Sequence, residues 1–219
     1  MSQCTQRILL MSALVVAIAV VPSTCKANSI IFSTFGPGHS YLSNSGWGES
    51  GSSTAAPDIV AMAFTPSATT TLGSIDVAIG WGGNGSRSLT LALMTNNGGV
   101  PGTILENWNV TSTYSFGSCG TCFETVFDKK HLILQAGVEY WLVPFPNSSF
   151  DGAWNDNSVG AFGSIVESLD GGNTWSPTTA APNLGAFDVK TTVPEPGTLL
   201  LLGSGLLGIV GKKSKKLFG

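Results

Sequence analysis

The chain has 219 residues, a formal net charge of −3, 28 glycines, 11 prolines and only 11% charged residues. The charge is unevenly placed: residues 28–192 hold 12 carboxylates against 4 basic side chains, a balance of −8, and the two ends carry the remaining basic residues. Such a body argues against nucleic acid and anionic membrane as partners, because neither phosphate surface finds a cationic stripe to neutralise it.

In chain order, residues 1–27 begin with a polar segment carrying Arg7, continue through an apolar run from Ile8 to Val21, and break at Pro22. Cys25-Lys26-Ala27 then places small residues at the two positions a signal peptidase reads, with Asn28 as the first mature residue. The run of about 14 apolar residues is shorter than the ~20 that span a bilayer. An N-terminal signal helix and export follow as expectations. A lipoprotein reading through Cys25 ranks lower, because Thr24 is a poor residue to precede a lipidated cysteine.

Residues 28–192 are long enough to form one domain with a core of its own. Apolar segments recur between Gly/Asn/Pro turns, at 29–35, 59–64, 72–81, 88–95, 103–110, 124–127, 138–145, 161–167 and 186–191, and each reads as a strand. In Ser88–Thr95, Leu89, Leu91 and Leu93 alternate with Thr90, Ala92 and Met94, the period-2 pattern of a half-buried strand. No long stretch of the body carries a capped helical period. The expected fold is all-β, a two-sheet antiparallel β-sandwich of jelly-roll-like type.

Four features of the body invite a functional reading. Cys119 and Cys122 in "GSCGTCFE" are the only cysteines left after signal removal, so in an exported chain they are expected to form a local disulfide. Redox and zinc roles rank below it, since the flanks read as loop and strand and the only histidines, His39 and His131, are remote in sequence. "SLDGGNTW" supplies Ser168, Asp170, Gly172, Thr174 and Trp175 in an Asp-box pattern, a tight turn around one carboxylate. "DGAWNDNS" offers Asp151, Asn155, Asp156 and Asn157 as oxygen ligands and Trp154 as a stacking platform. It is the candidate ligand or calcium loop, although it lacks EF-hand spacing and the plain polar surface loop ranks ahead of that reading. Trp47, Trp81, Trp108 and Trp175 are further candidate platforms for a sugar ring.

Paired carboxylates for glycoside hydrolysis are conceivable among Asp151, Asp156, Glu167 and Asp170, but sequence does not fix their separation. The body contains no nucleophile elbow, zinc-protease helix or phosphate loop. The expectation is a protein with no enzymatic activity and no cofactor, calcium apart. A carbohydrate-binding module is the alternative, and a glycoside-acting hydrolase ranks third.

Residues 193–219 join Val193-Pro194-Glu195-Pro196 to an apolar run from Thr198 to Val210 and to Lys212, Lys213, Lys215 and Lys216. The prolines hold the entrance extended, and the lysines are retained on the cytoplasmic side during export. The apolar run would make a transmembrane helix of about 21 Å, short against a ~30 Å hydrocarbon core and weakened by glycines. This order of motif, short helix and basic terminus resembles the PEP-CTERM sorting signal of Gram-negative bacteria. The resemblance implies an exosortase-type enzyme as partner, a transient inner-membrane intermediate, and delivery to the cell surface or extracellular matrix with its polysaccharide. "LALMTNNGGVPGTIL", "LQAGVEYWLV" and "SLDGGNTW" together resemble choice-of-anchor β-sandwich domains of exported bacterial proteins, a likeness that implies no activity.

Overall fold

The computed structural model describes residues 27–193, apart from 55–56, 84 and 179–182. The expected signal helix and C-terminal transmembrane helix lie outside the described residues, as do Pro194, Glu195, Pro196 and the four terminal lysines. Among the described residues no helix is long and apolar enough to cross a membrane.

Fourteen strands follow in order: β1 (Ala27–Ser33), β2 (Tyr41–Ser50), β3 (Ile59–Phe64), β4 (Thr70–Val77), β5 (Ile79–Trp81), β6 (Ser88–Asn96), β7 (Pro101–Thr111), β8 (Glu124–Phe127), β9 (Ile133–Leu134), β10 (Tyr140–Pro146), β11 (Asp151–Asn157), β12 (Ile165–Ser168), β13 (Ser176–Pro177) and β14 (Phe187–Val193). A 3-10 turn at Pro37–His39 lies between β1 and β2. The strands form a six-stranded sheet, β13-β12-β3-β10-β6-β7, a five-stranded sheet, β1-β14-β4-β8 with β9 also on β4, and a three-stranded sheet, β2-β11-β5. Pairing is antiparallel along β12-β3-β10-β6-β7 and between β4 and each of β8, β9 and β14.

The sandwich is therefore all-β and antiparallel, as the apolar alternation implies, with a small third sheet added. Each of the nine expected segments contains strand, although the one at 161–167 is strand only from Ile165 onward. The run expected at 72–81 breaks at Ala78, which donates its N–H to Ala186 O and accepts from both Asn155 N and Asn155 Nδ2. That break lets β4 remain in the five-stranded sheet while β5 pairs with β11 in the small one.

The main core lies where the two large sheets face each other. Val60, Met62 and Phe64 of β3, Leu89, Leu91 and Leu93 of β6 and Leu142 of β10 meet Ile75 and Val77 of β4 and Phe187 and Val189 of β14. Each fully buried aliphatic or aromatic side chain of this kind stabilises the fold by about 1.5–3 kcal/mol. The opposite face of the six-stranded sheet is buried as well. Trp141 sits there between Ala63 and Met94, its partners in register, and donates to Asn96 Oδ1. Two small neighbours, Ala63 and Ala92, leave room for the indole.

Candidate functional site

On β14 the inward Phe187 and Val189 alternate with Asp188 and Lys190, which point to the outside of the five-stranded sheet, and on β4 Asp76 does the same between Ile75 and Val77. Register sets Asp188 directly beside Asp76, so two carboxylates from positions 112 residues apart share one patch, each 1% exposed. Asp76 Oδ1 accepts from Thr125 Oγ1 of β8 at 2.8 Å, and Asp76 Oδ2 contacts Lys190 Nζ. Lys190 Nζ is also 3.8 Å from Asp188 Oδ2.

His39 completes the cluster from the 3-10 turn. Gly38 and His39 both hold positive φ, 66° and 59°, which is ordinary for glycine and uncommon for histidine. The bend directs His39 Nε2 to 3.1 Å from Asp188 Oδ2 and 3.9 Å from Asp76 Oδ2. Phe35 and Phe123 flank the imidazole, with ring centroids 5.2 and 4.7 Å away, and Phe123 also lies 5.9 Å from Lys190 Nζ. Phe123 is held by the residue before it, Cys122, which is bonded to Cys119.

The expected disulfide is thus formed, and it closes the loop that supports Phe123. Replacing both cysteines with serine is expected to lower stability by about 2 kcal/mol, the chain-entropy estimate for so small a loop. Urea denaturation of the two forms measures it.

Carboxyl groups pair elsewhere too, at positions the sequence does not suggest. Asp58, at the entry to β3, is raised to about 7, first by burial and then by the charge and hydrogen bond of Glu167 on β12. Glu49 of β2 is fully buried and held well above the carboxylate range by that burial. The bond its Oε2 accepts from Val60 N–H, at 3.2 Å, offsets this in part, and the Asp58 charge adds to it. Glu106 of β7 is raised by burial and by its hydrogen bond with Asp128. Of these groups only Glu167 belongs to the carboxylates considered for hydrolysis.

The Asp-box residues assemble as the turn chemistry requires. Asp170 Oδ1 accepts from Ser168 Oγ, Asn173 N and Thr174 N, and its Oδ2 from Thr174 Oγ1, all at 2.7–3.0 Å. These bonds hold Asp170 down at about 2, the hydroxyl of Thr174 foremost. Gly172 donates its N–H to Ser168 Oγ, and Trp175 folds against the outer cluster of the six-stranded sheet.

The candidate ligand loop at Asp151–Ser158 is instead strand β11 over Asp151–Asn157. β11 is the middle strand of the small sheet, and Trp154 is completely buried, its Nε1 donating to Ala186 O. Asn155 is also buried, its side-chain amide spent on Ala78 O, while Asp151 is exposed at the start of the strand and Asp156 accepts from Ser45 Oγ. Alternation along the strand sets Asp156 on the opposite face from Asp151, Asn155 and Asn157, which separates the candidate oxygen ligands.

The other indoles are also engaged. Trp108 is buried and donates to Phe127 O, Trp47 donates to Asn183 O, and Arg87 lies 4.1 Å over the ring of Trp81. Two shallow grooves bring in one acid each. Leu105, Leu132, Ile133 and Val138 line the first with Glu139, and Ile59, Phe145 and Leu169 line the second with Asp170.

Comparison with known families matches residues 192–216 to the PEP-CTERM protein-sorting motif. No curated protein and no solved structure matches the chain.

Proposed function

We propose, on the premise of the PEP-CTERM sorting signal at residues 192–216, that this exported exosortase substrate is a non-enzymatic protein of the cell surface or extracellular matrix, associated with extracellular polysaccharide or biofilm. The sorting signal is the observation that carries the reading. Two features of the body support it. The body is acidic by sequence, with a formal balance of −8 between residues 28 and 192 although several of its carboxyl groups are buried, so once the lysines are removed it offers anionic lipid little attraction, which favours release over retention. The bonded Cys119–Cys122 pair suits an oxidising compartment.

Intact mass spectrometry of the protein recovered from cells, matrix and medium tests the reading. The expected product begins at Asn28, ends between Val193 and Pro196, and is enriched in the matrix fraction. A chain carrying Pro194→Ala, Glu195→Ala and Pro196→Ala is expected to keep Lys212–Gly219 and to remain with the membranes. A wild-type product that retains the lysines would replace the sorting account with a tethered one, and a processed product found only as free protein in the medium would remove the matrix association.

A further inference from the structure

The cluster on the outside of the five-stranded sheet sets two buried carboxyl groups against one lysine and one imidazole. Asp76 and Asp188 are each 1% exposed, and the two carboxyl groups share one fixed cation, Lys190, with the imidazole of His39 beside them. Isolated charge away from water is costly, and burial of a carboxylate is tolerated where hydrogen bonds or cations engage both oxygens. Asp76 meets that condition through Thr125 and Lys190. Asp188 does not: its Oδ2 meets His39 and Lys190, while its Oδ1 is buried with no hydrogen-bond partner.

We propose that His39 Nε2, Asp76 and Asp188 form a binding site for a divalent transition-metal cation of the zinc class, in which Lys190 Nζ holds the cation position when the metal is absent. The three ligand atoms lie within 4.8 Å of one another, and His39 Nε2 is 3.1 and 3.9 Å from the two carboxylate oxygens. Tetrahedral zinc places nitrogen and oxygen ligands roughly 3.3–3.5 Å apart, given metal–ligand bonds of ~2.0–2.2 Å, so small movements close the shell. An imidazole with two carboxylates is a borderline donor set, which suits zinc better than calcium or magnesium.

Access and displacement are both available. His39 is 35% exposed and Lys190 16%, so the imidazole opens the site to solvent and the lysine has a route out. Phe35 and Phe123 restrict the imidazole, which favours one ring orientation. A site of three protein ligands leaves a fourth position open, which makes it a place to bind water or an oxygen-bearing partner as well as the ion.

The site rests on geometry alone and stands apart from the sorting reading, so either can fail without the other. The test is calorimetric titration of the exported, chelator-stripped protein with zinc chloride, beside the variants His39→Ala, Lys190→Met and His131→Ala. The expected result is one zinc per chain, bound at least tenfold more tightly by Lys190→Met and at least tenfold more weakly by His39→Ala, with His131→Ala unchanged. Melting temperatures without metal show that each variant is folded, and His39, on a surface turn, is the least disruptive ligand to remove. Absence of saturable binding in both wild type and Lys190→Met would overturn the site. So would zinc affinity indifferent to His39→Ala, or calcium bound more tightly than zinc.

Discussion

Trp154→Ala is expected to cost about 3–5 kcal/mol of stability, the range for truncating a large aromatic in a core. The indole is completely buried and meets Phe187 edge-on at 5.6 Å between centroids, and Gly185 presses against its face so closely that a Cβ there would stand 2.6 Å from Cδ1. Removing it leaves a void that these neighbours cannot fill and strips Ala186 O of the indole donor. For a domain of this size the loss lowers the melting temperature by roughly 10 °C. Trp154→Phe keeps a ring in place and is expected to lose less than half as much. Thermal and urea unfolding of both variants measure this. If Trp154→Ala kept its stability but lost affinity for a sugar, the residue would be a stacking platform after all.

Stability is expected to be greater near pH 5 than near pH 8, the reverse of the behaviour of carboxylates held by salt bridges. In the unfolded chain Asp58 ionises near its ordinary value of 3.8, whereas in the fold it holds its proton to about 7. Between those values the folded state binds more protons than the unfolded one, so stability falls as pH rises through the window. Glu49 and Glu106 are shifted in the same direction and add to the slope. Because Asp58 is half-buried, solvent screening reduces its share to about 2 kcal/mol, or roughly 5 °C in melting temperature. Asp58→Asn, which is neutral throughout, is expected to flatten the profile between pH 5 and 8. A wild-type melting temperature that rises across that range would refute the pairing of Asp58 with Glu167.

Strands with an apolar alternation were legible in the sequence because the period-2 pattern is what burial of one face demands. β6 is the clearest, with its three leucines in the core. β2 and β11 were not legible. "YLSNSGWGES" and "DGAWNDN" carry the Ser, Gly, Asn and Asp of turns, and β11 is stabilised by other means. Asn155 and Asn157 are buried because their side-chain amides replace backbone partners, bonding Ala78 O and Leu184 O. Composition alone does not distinguish such a strand from a loop. The disulfide was legible because two nearby cysteines in an exported chain have each other as the obvious partner. The cluster of His39, Asp76, Asp188 and Lys190 was not. It exists through the register of β14 on β4 and a left-handed histidine, neither of which leaves a local motif.

β14 lies between β1 and β4, so it is an interior strand of its sheet, and the sorting motif begins where it ends. In a chain made or exported from its N-terminus, β1 is available first and β14 last. Until β14 is in place, β1 has no neighbour in its sheet and the core lacks Phe187 and Val189. The sandwich therefore closes only once residues 187–193 have joined it, next to the start of the sorting motif. Fold completion thus waits on the last strand, and a chain ending before residue 187 would present open sheet edges on β1 and β4.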